Sequence, residues 1–93
     1  MGHIYFIGNY DKSAIKCGWS SNITCRIKTF ETANAKDLYL IYYVEGTMDV
    51  EKSIQKYLKD YKVKNEWFEY EATMRYINQY KLNVEAQISE GLI

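Results

Sequence analysis

Short runs that are apolar almost throughout alternate along this chain with longer stretches in which apolar residues recur every three or four positions. Residues 3–8, HIYFIG, contain Ile4, Tyr5, Phe6 and Ile7, the β-branched and aromatic types that suit a pleated strand. Turn formers from Asn9 to Ser13 follow, and residues 14–19 return as a second apolar run, which predicts an antiparallel hairpin. Ser20, Ser21 or Asn22 can cap a helix whose Ile23, Ile27 and Phe30 stand at helical spacing, with Asn34 ending it. Residues 37–45, DLYLIYYVE, are apolar nearly without interruption, which predicts a central strand covered on both faces and broken by Gly46 and Thr47.

The stretch MDVEKSIQKYLKDYKV predicts an amphipathic helix capped by Thr47 or Asp49. Val50, Ile54, Tyr57, Leu58 and Tyr61 form its apolar stripe, Lys52, Lys56 and Lys59 its far face, and Glu51 falls at the border. NEWFEY, residues 65–70, reads as a turn plus a short extended piece, and ATMRYINQYKL as a third helix with Met74 and Ile77 inward, Tyr76 and Tyr80 beside them. Residues 83–93 are weakly patterned and read as a helical extension or a loose tail. The order predicts an α+β fold: a small, mostly antiparallel three-stranded sheet flanked by helices.

A length of 93 residues predicts one domain over 1–93. The hydrophobic fraction of 47% and charged fraction of 26% exclude wholesale disorder. Without a run long enough to span a membrane or a signal-peptide layout, the expectation is an intracellular, cytoplasmic protein with no membrane partner. Cys17 and Cys25 form no Cys-x-x-Cys pair and His3 is the single histidine, which excludes a zinc site and leaves both cysteines as small packing residues. Twelve basic residues balance 12 acidic ones, so any nucleic-acid site must come from charge placement rather than net charge.

Four polar side chains stand where a solvated face would not put them. Tyr5 and Lys16 lie inside the two apolar runs of the hairpin, and Arg26 and Glu51 border the apolar stripes of two different helices. Singly, each reads as a core tyrosine, an edge lysine or a surface ion pair of small worth. Together they are a phenol, an amine, a guanidinium and a carboxylate able to converge on one sheet face.

Over residues 3–70 the chain resembles the GIY-YIG nuclease superfamily, in particular its small phage and bacterial branch. HIY at 3–5 and KCG at 16–18 stand where that family has Gly-Ile-Tyr and Tyr-Ile-Gly strands, Arg26 matches its helix arginine, Glu51 the glutamate opening a later helix, and NEWF at 65–68 the branch's Gly-Glu-Trp-Phe. Residues 71–93 would be a C-terminal helical extension. His3 replaces a glycine, Lys16 a tyrosine (lysine is usual in this branch), and Phe30 and Gln55 stand where relatives carry histidines.

The resemblance implies a metal-dependent endonuclease acting on DNA. Tyr5 would orient or deprotonate the attacking water, aided by Lys16, as an ammonium beside the phenolate or as a neutral proton acceptor. Arg26 would hold phosphoryl oxygens, and Glu51 one Mg²⁺ or Mn²⁺. Lys52, Lys56 and Lys59 are candidates for contacting phosphates and Trp19 for stacking on a base, while Trp67 and Glu66 read as structural. The alternative is a catalytically weak or inactive GIY-YIG-fold binding protein, phage-encoded and acting in the host cell on a nucleic acid or a host protein. A structural domain whose tyrosines form a homodimer interface is a third.

Overall fold

The computed structural model describes residues 2–9, 11–34 and 38–91, with side chains described for 2–9, 11–29 and 38–80. In chain order the elements are β1 (Gly2–Asn9), β2 (Ala14–Ser20), α1 (Ile23–Asn34), β3 (Leu38–Gly46), α2 (Met48–Tyr57), a short 3-10 turn (Lys59–Tyr61), β4 (Lys62–Lys64), β5 (Trp67–Glu69) and α3 (Tyr70–Gly91). The strands form one antiparallel five-stranded sheet in the order β3-β1-β2-β5-β4. The fold class is thus α+β as predicted, with two strands more than predicted. β4 and β5 are three residues each, too short for an alternation of polar and apolar positions to show.

Side chains alternate between the two faces of the sheet. One face carries Ile4, Phe6, Ile15, Cys17 and Phe68, which form the core with Ile54 of α2, Leu58 at its C-terminal cap and Ile77 of α3. The other carries Tyr5 and Ile7, both buried, with α1 packed over β1 and β3. The β1–β2 connection is tied by the Asn9 side chain, whose Oδ1 accepts from the backbone N–H of Ser13 and of Ala14, both at 3.1 Å. Lys12 there takes the left-handed conformation at φ 60. Asn22 Oδ1 caps α1 by accepting from Cys25 N at 3.1 Å, and Thr47 Oγ1 caps α2 by accepting from Val50 N at 3.3 Å.

Several expectations are corrected. β3 is an edge strand, β1 is the buried strand between β3 and β2, and β2 is the middle strand of the five. The stripe of α2 buries only Ile54 and Leu58, whereas Val50, Tyr57 and Tyr61 are exposed. Cys25 is exposed, while Cys17 is sealed in the core and its thiol is pushed up to about 12 by burial. The side chain of Phe30 and residues 92–93 lie outside the described residues. Among the described residues no helix is long and apolar enough to cross a membrane.

Candidate active site

β5 runs beside β2 only at Ala14, Ile15 and Lys16, so the sheet opens along the rest of the outer edge of β2. The polar groups of Cys17 at that edge are met from outside the strand ladder. Its N–H donates to Glu66 O at 3.0 Å, and its carbonyl accepts from Gln55 Nε2 at 2.9 Å. Gln55 Nε2 also lies 3.4 Å from Glu66 Oε2, and Lys16 Nζ pairs with Glu66 Oε1 at 3.5 Å. A strand, a helix and a turn are therefore tied together around one carboxylate.

Tyr5 reaches the same place from the middle of the sheet. It lies on β1 opposite Gly18 of β2, and its ring lies across Gly18. A methyl group on Gly18 would overlap Tyr5 Cζ and the hydroxyl, so this crossing requires glycine. Tyr5 is 3% exposed. Burial raises its phenol above the ordinary value of 10.0; the Arg26 guanidinium pulls it down, and the Glu66 and Glu51 carboxylates push it further up.

Arg26 approaches from the first turn of α1, where its N–H donates to Asn22 O at 3.1 Å, and its side chain is exposed. Glu51 approaches from the first turn of α2, anchored by a bond from its N–H to Thr47 O at 3.1 Å. Burial lifts the Glu51 carboxyl above its ordinary value, and the Glu66 carboxylate adds to this, with Lys52 and Lys16 opposing. The Tyr5 phenol thus feels a guanidinium from α1 and carboxylates from α2 and the β4–β5 turn, and the two carboxylates feel each other.

The sequence points Lys16 at the phenol; in the structure Lys16 pairs with Glu66, and Arg26 is a cation that acts on the phenol. Glu66, read as structural, faces the opening. Its signal in the sequence was its position in NEWF beside Asn65, which holds the left-handed conformation at φ 50 where the branch's motif has glycine. Trp19 is half-buried against the core, its Nε1 donating to Gly46 O at 2.9 Å, which is a packing position. Lys52 and Lys56 of α2 and Lys59 of the 3-10 turn are all exposed.

Among the described residues no three histidine, cysteine or acidic side chains gather into a metal cage. Mg²⁺ does not need one: it holds to one or two carboxylates and keeps water and phosphate as its other ligands. Glu51 and Glu66, two carboxylates that repel each other at a partly desolvated opening, fit that requirement.

Neither a curated protein nor a solved structure matches this chain. A family model described as the T5orf172 domain matches residues 2–86. By that match the chain belongs to the T5orf172 domain family, a phage-associated, nuclease-like family related to GIY-YIG.

Proposed function

We propose that this protein is a metal-dependent endonuclease that hydrolyses DNA phosphodiester bonds. The observation that supports this reading is the Tyr5 ring lying across Gly18, with its phenol under the influence of Arg26, Glu51 and Glu66 from three other parts of the fold. A packing role for each would not require that influence.

The residues divide the work by their chemistry. The Arg26 guanidinium, exposed and pre-formed as a fork of donors, grips the phosphoryl oxygens and offsets the charge that develops on them. The Tyr5 hydroxyl, fixed across Gly18, orients the attacking water; once its own proton has passed to solvent, the phenolate accepts a proton from that water and returns to the phenol. Lys16 holds the Glu66 carboxylate in place from one side and Gln55 from the other. Mg²⁺ or Mn²⁺, held by Glu51 with Glu66 beside it, would supply charge neutralisation at the leaving oxygen.

Replacing Glu51 by Ala tests this. Cleavage of supercoiled DNA with Mg²⁺ or Mn²⁺ should fall roughly a hundredfold or more, the scale of a lost cation contact in the transition state. DNA affinity should persist or rise, since a negative charge near phosphate has gone. Thermal stability should hold, because Glu51 sits in a helix's first turn outside the core. Wild-type protein that binds DNA yet cuts nothing with either metal would defeat the enzyme reading. It would promote the alternative, a binding protein on this fold, which one observation favours: burial raises the Tyr5 phenol and so makes it a reluctant base.

A further inference from the structure

The flank of α2 that turns away from the opening is unlike ordinary helix surface. Tyr57 is 69% exposed and Tyr61 41% exposed. Between α2 with its 3-10 turn and α3 lies a cleft of about 200 Å³ whose walls include Tyr57, Tyr61, Arg75, Tyr76 and Gln79. A second cleft of about 170 Å³ adjoins it and shares Tyr57, Tyr76 and Gln79. The Tyr57 and Tyr76 rings stand 5.4 Å apart and 46° from parallel, a splayed pair rather than a closed stack. Beside them, Lys52 and Lys56 stand exposed on one face of α2 and Lys59 stands exposed at the start of the 3-10 turn that follows it.

We infer that this cleft takes unpaired bases of a single-stranded DNA segment whose phosphates cross these lysines toward the opening at Glu51. The inference rests on the nuclease reading for the identity of the polyanion and adds the form of DNA engaged. Exposed tyrosine faces stack on any base, each worth about 1–3 kcal/mol, and the groove that tracks the backbone in such sites is basic. Arg75 and Gln79 add donors at the cleft wall for base edges or phosphate. Bases already stacked in a duplex cannot reach the rings, so only an unpaired end, flap or junction arm fits. A protein partner would also use tyrosine and arginine, but protein interfaces are depleted of lysine, and here Lys52, Lys56 and Lys59 line the approach with Lys62 and Lys64 exposed beyond. Four exposed acidic residues stand along the same stretch, Asp49, Asp60, Glu69 and Glu71, against six exposed cations, Lys52, Lys56, Lys59, Lys62, Lys64 and Arg75.

The test is binding by the wild-type protein in the presence of a chelator, so that it does not depend on cleavage. Fluorescence anisotropy would compare a single strand of about 12 nucleotides with a blunt duplex of the same sequence. Tyr57→Ala should weaken single-strand binding about tenfold while leaving duplex binding and the melting temperature unchanged, and Tyr57→Phe should restore it. Unchanged single-strand affinity in Tyr57→Ala, with duplex binding intact, overturns the cleft assignment and leaves the nuclease reading standing. Failure to bind either DNA overturns both. A concentration-dependent dimer that Tyr57→Ala abolishes overturns the inference in favour of a second copy as the occupant.

Discussion

At the scale of single residues the site depends on one missing side chain. Gly18 leaves room for the Tyr5 ring to lie across β2, and an added methyl would strike the hydroxyl end of that buried ring. Gly18→Ala should therefore cost about 1–3 kcal/mol in unfolding free energy, as overpacking does, and should displace the hydroxyl from its working position. Cleavage should fall far more than DNA affinity. Tyr5→Phe separates the two effects: it keeps the ring, so chemical denaturation should show a loss of no more than about 0.5–1.5 kcal/mol, the worth of one hydrogen bond, yet cleavage should be lost. The direction of the Tyr5 shift also fixes a pH dependence. Its phenol is raised by burial, so it stays protonated through the neutral range, and a step that needs the phenolate should quicken about tenfold per pH unit between roughly pH 7 and 9. Arg26→Gln removes the cation that pulls the phenol down and should slow that step at every pH below its ionisation. A flat pH–rate profile would leave Tyr5 the task of orienting water and no more.

At the scale of elements, the site exists because the sheet stops pairing halfway along β2, and Gln55 closes the gap. Its amide donates to the Cys17 carbonyl and toward Glu66, joining α2, β2 and the β4–β5 turn. Gln55→Ala should cost about 1–3 kcal/mol, because a carbonyl beside a sealed core residue loses its donor. Gln55→Glu, which keeps the shape but adds a carboxylate beside Glu66, should cost more. Urea unfolding checks the order, and equal stability of Gln55→Glu and wild type would remove Gln55 from this role. The same region marks the boundary of what the sequence made legible. The hairpin, the three helices, their caps and the apolar character of β1 follow from local spacing and composition. The position of β3 does not: Tyr39, Tyr42 and Tyr43 count as apolar in a pattern, but a tyrosine with a polar tip tolerates a half-exposed edge, and β3 is such an edge. Tyr57 and Tyr61 misled for the same reason, since their spacing continued a stripe that α3 does not cover. Glu66 lay in a turn, where no periodicity assigns a face, and its partner Lys16 is fifty residues away in the chain.

At the scale of the whole molecule, 12 cations balance 12 anions, so attraction to DNA must come from where the charges sit. Lys52 and Lys56 of α2 and Lys59 of the 3-10 turn stand exposed, whereas Glu51 and Glu66 lie at the opening. On the proposed function, binding and cutting would be separated: the lysines would attract the backbone, and the opening would repel phosphate until a divalent cation offset its carboxylates. In a chelator, duplex affinity should fall steeply with salt, with a log–log slope of about 0.9 per phosphate neutralised. Changing all three lysines to Gln should flatten the slope by up to about three such contacts, while the melting temperature holds because none of the three is in the core. Tyr57→Ala should leave the slope alone, since stacking releases no counterions. Adding Mn²⁺ should then raise affinity beyond what its ionic strength allows, and only while Glu51 is intact. A slope that ignores the three lysines would return them to ordinary solvated surface, and a Mn²⁺ effect that survives Glu51→Ala would place the cation elsewhere.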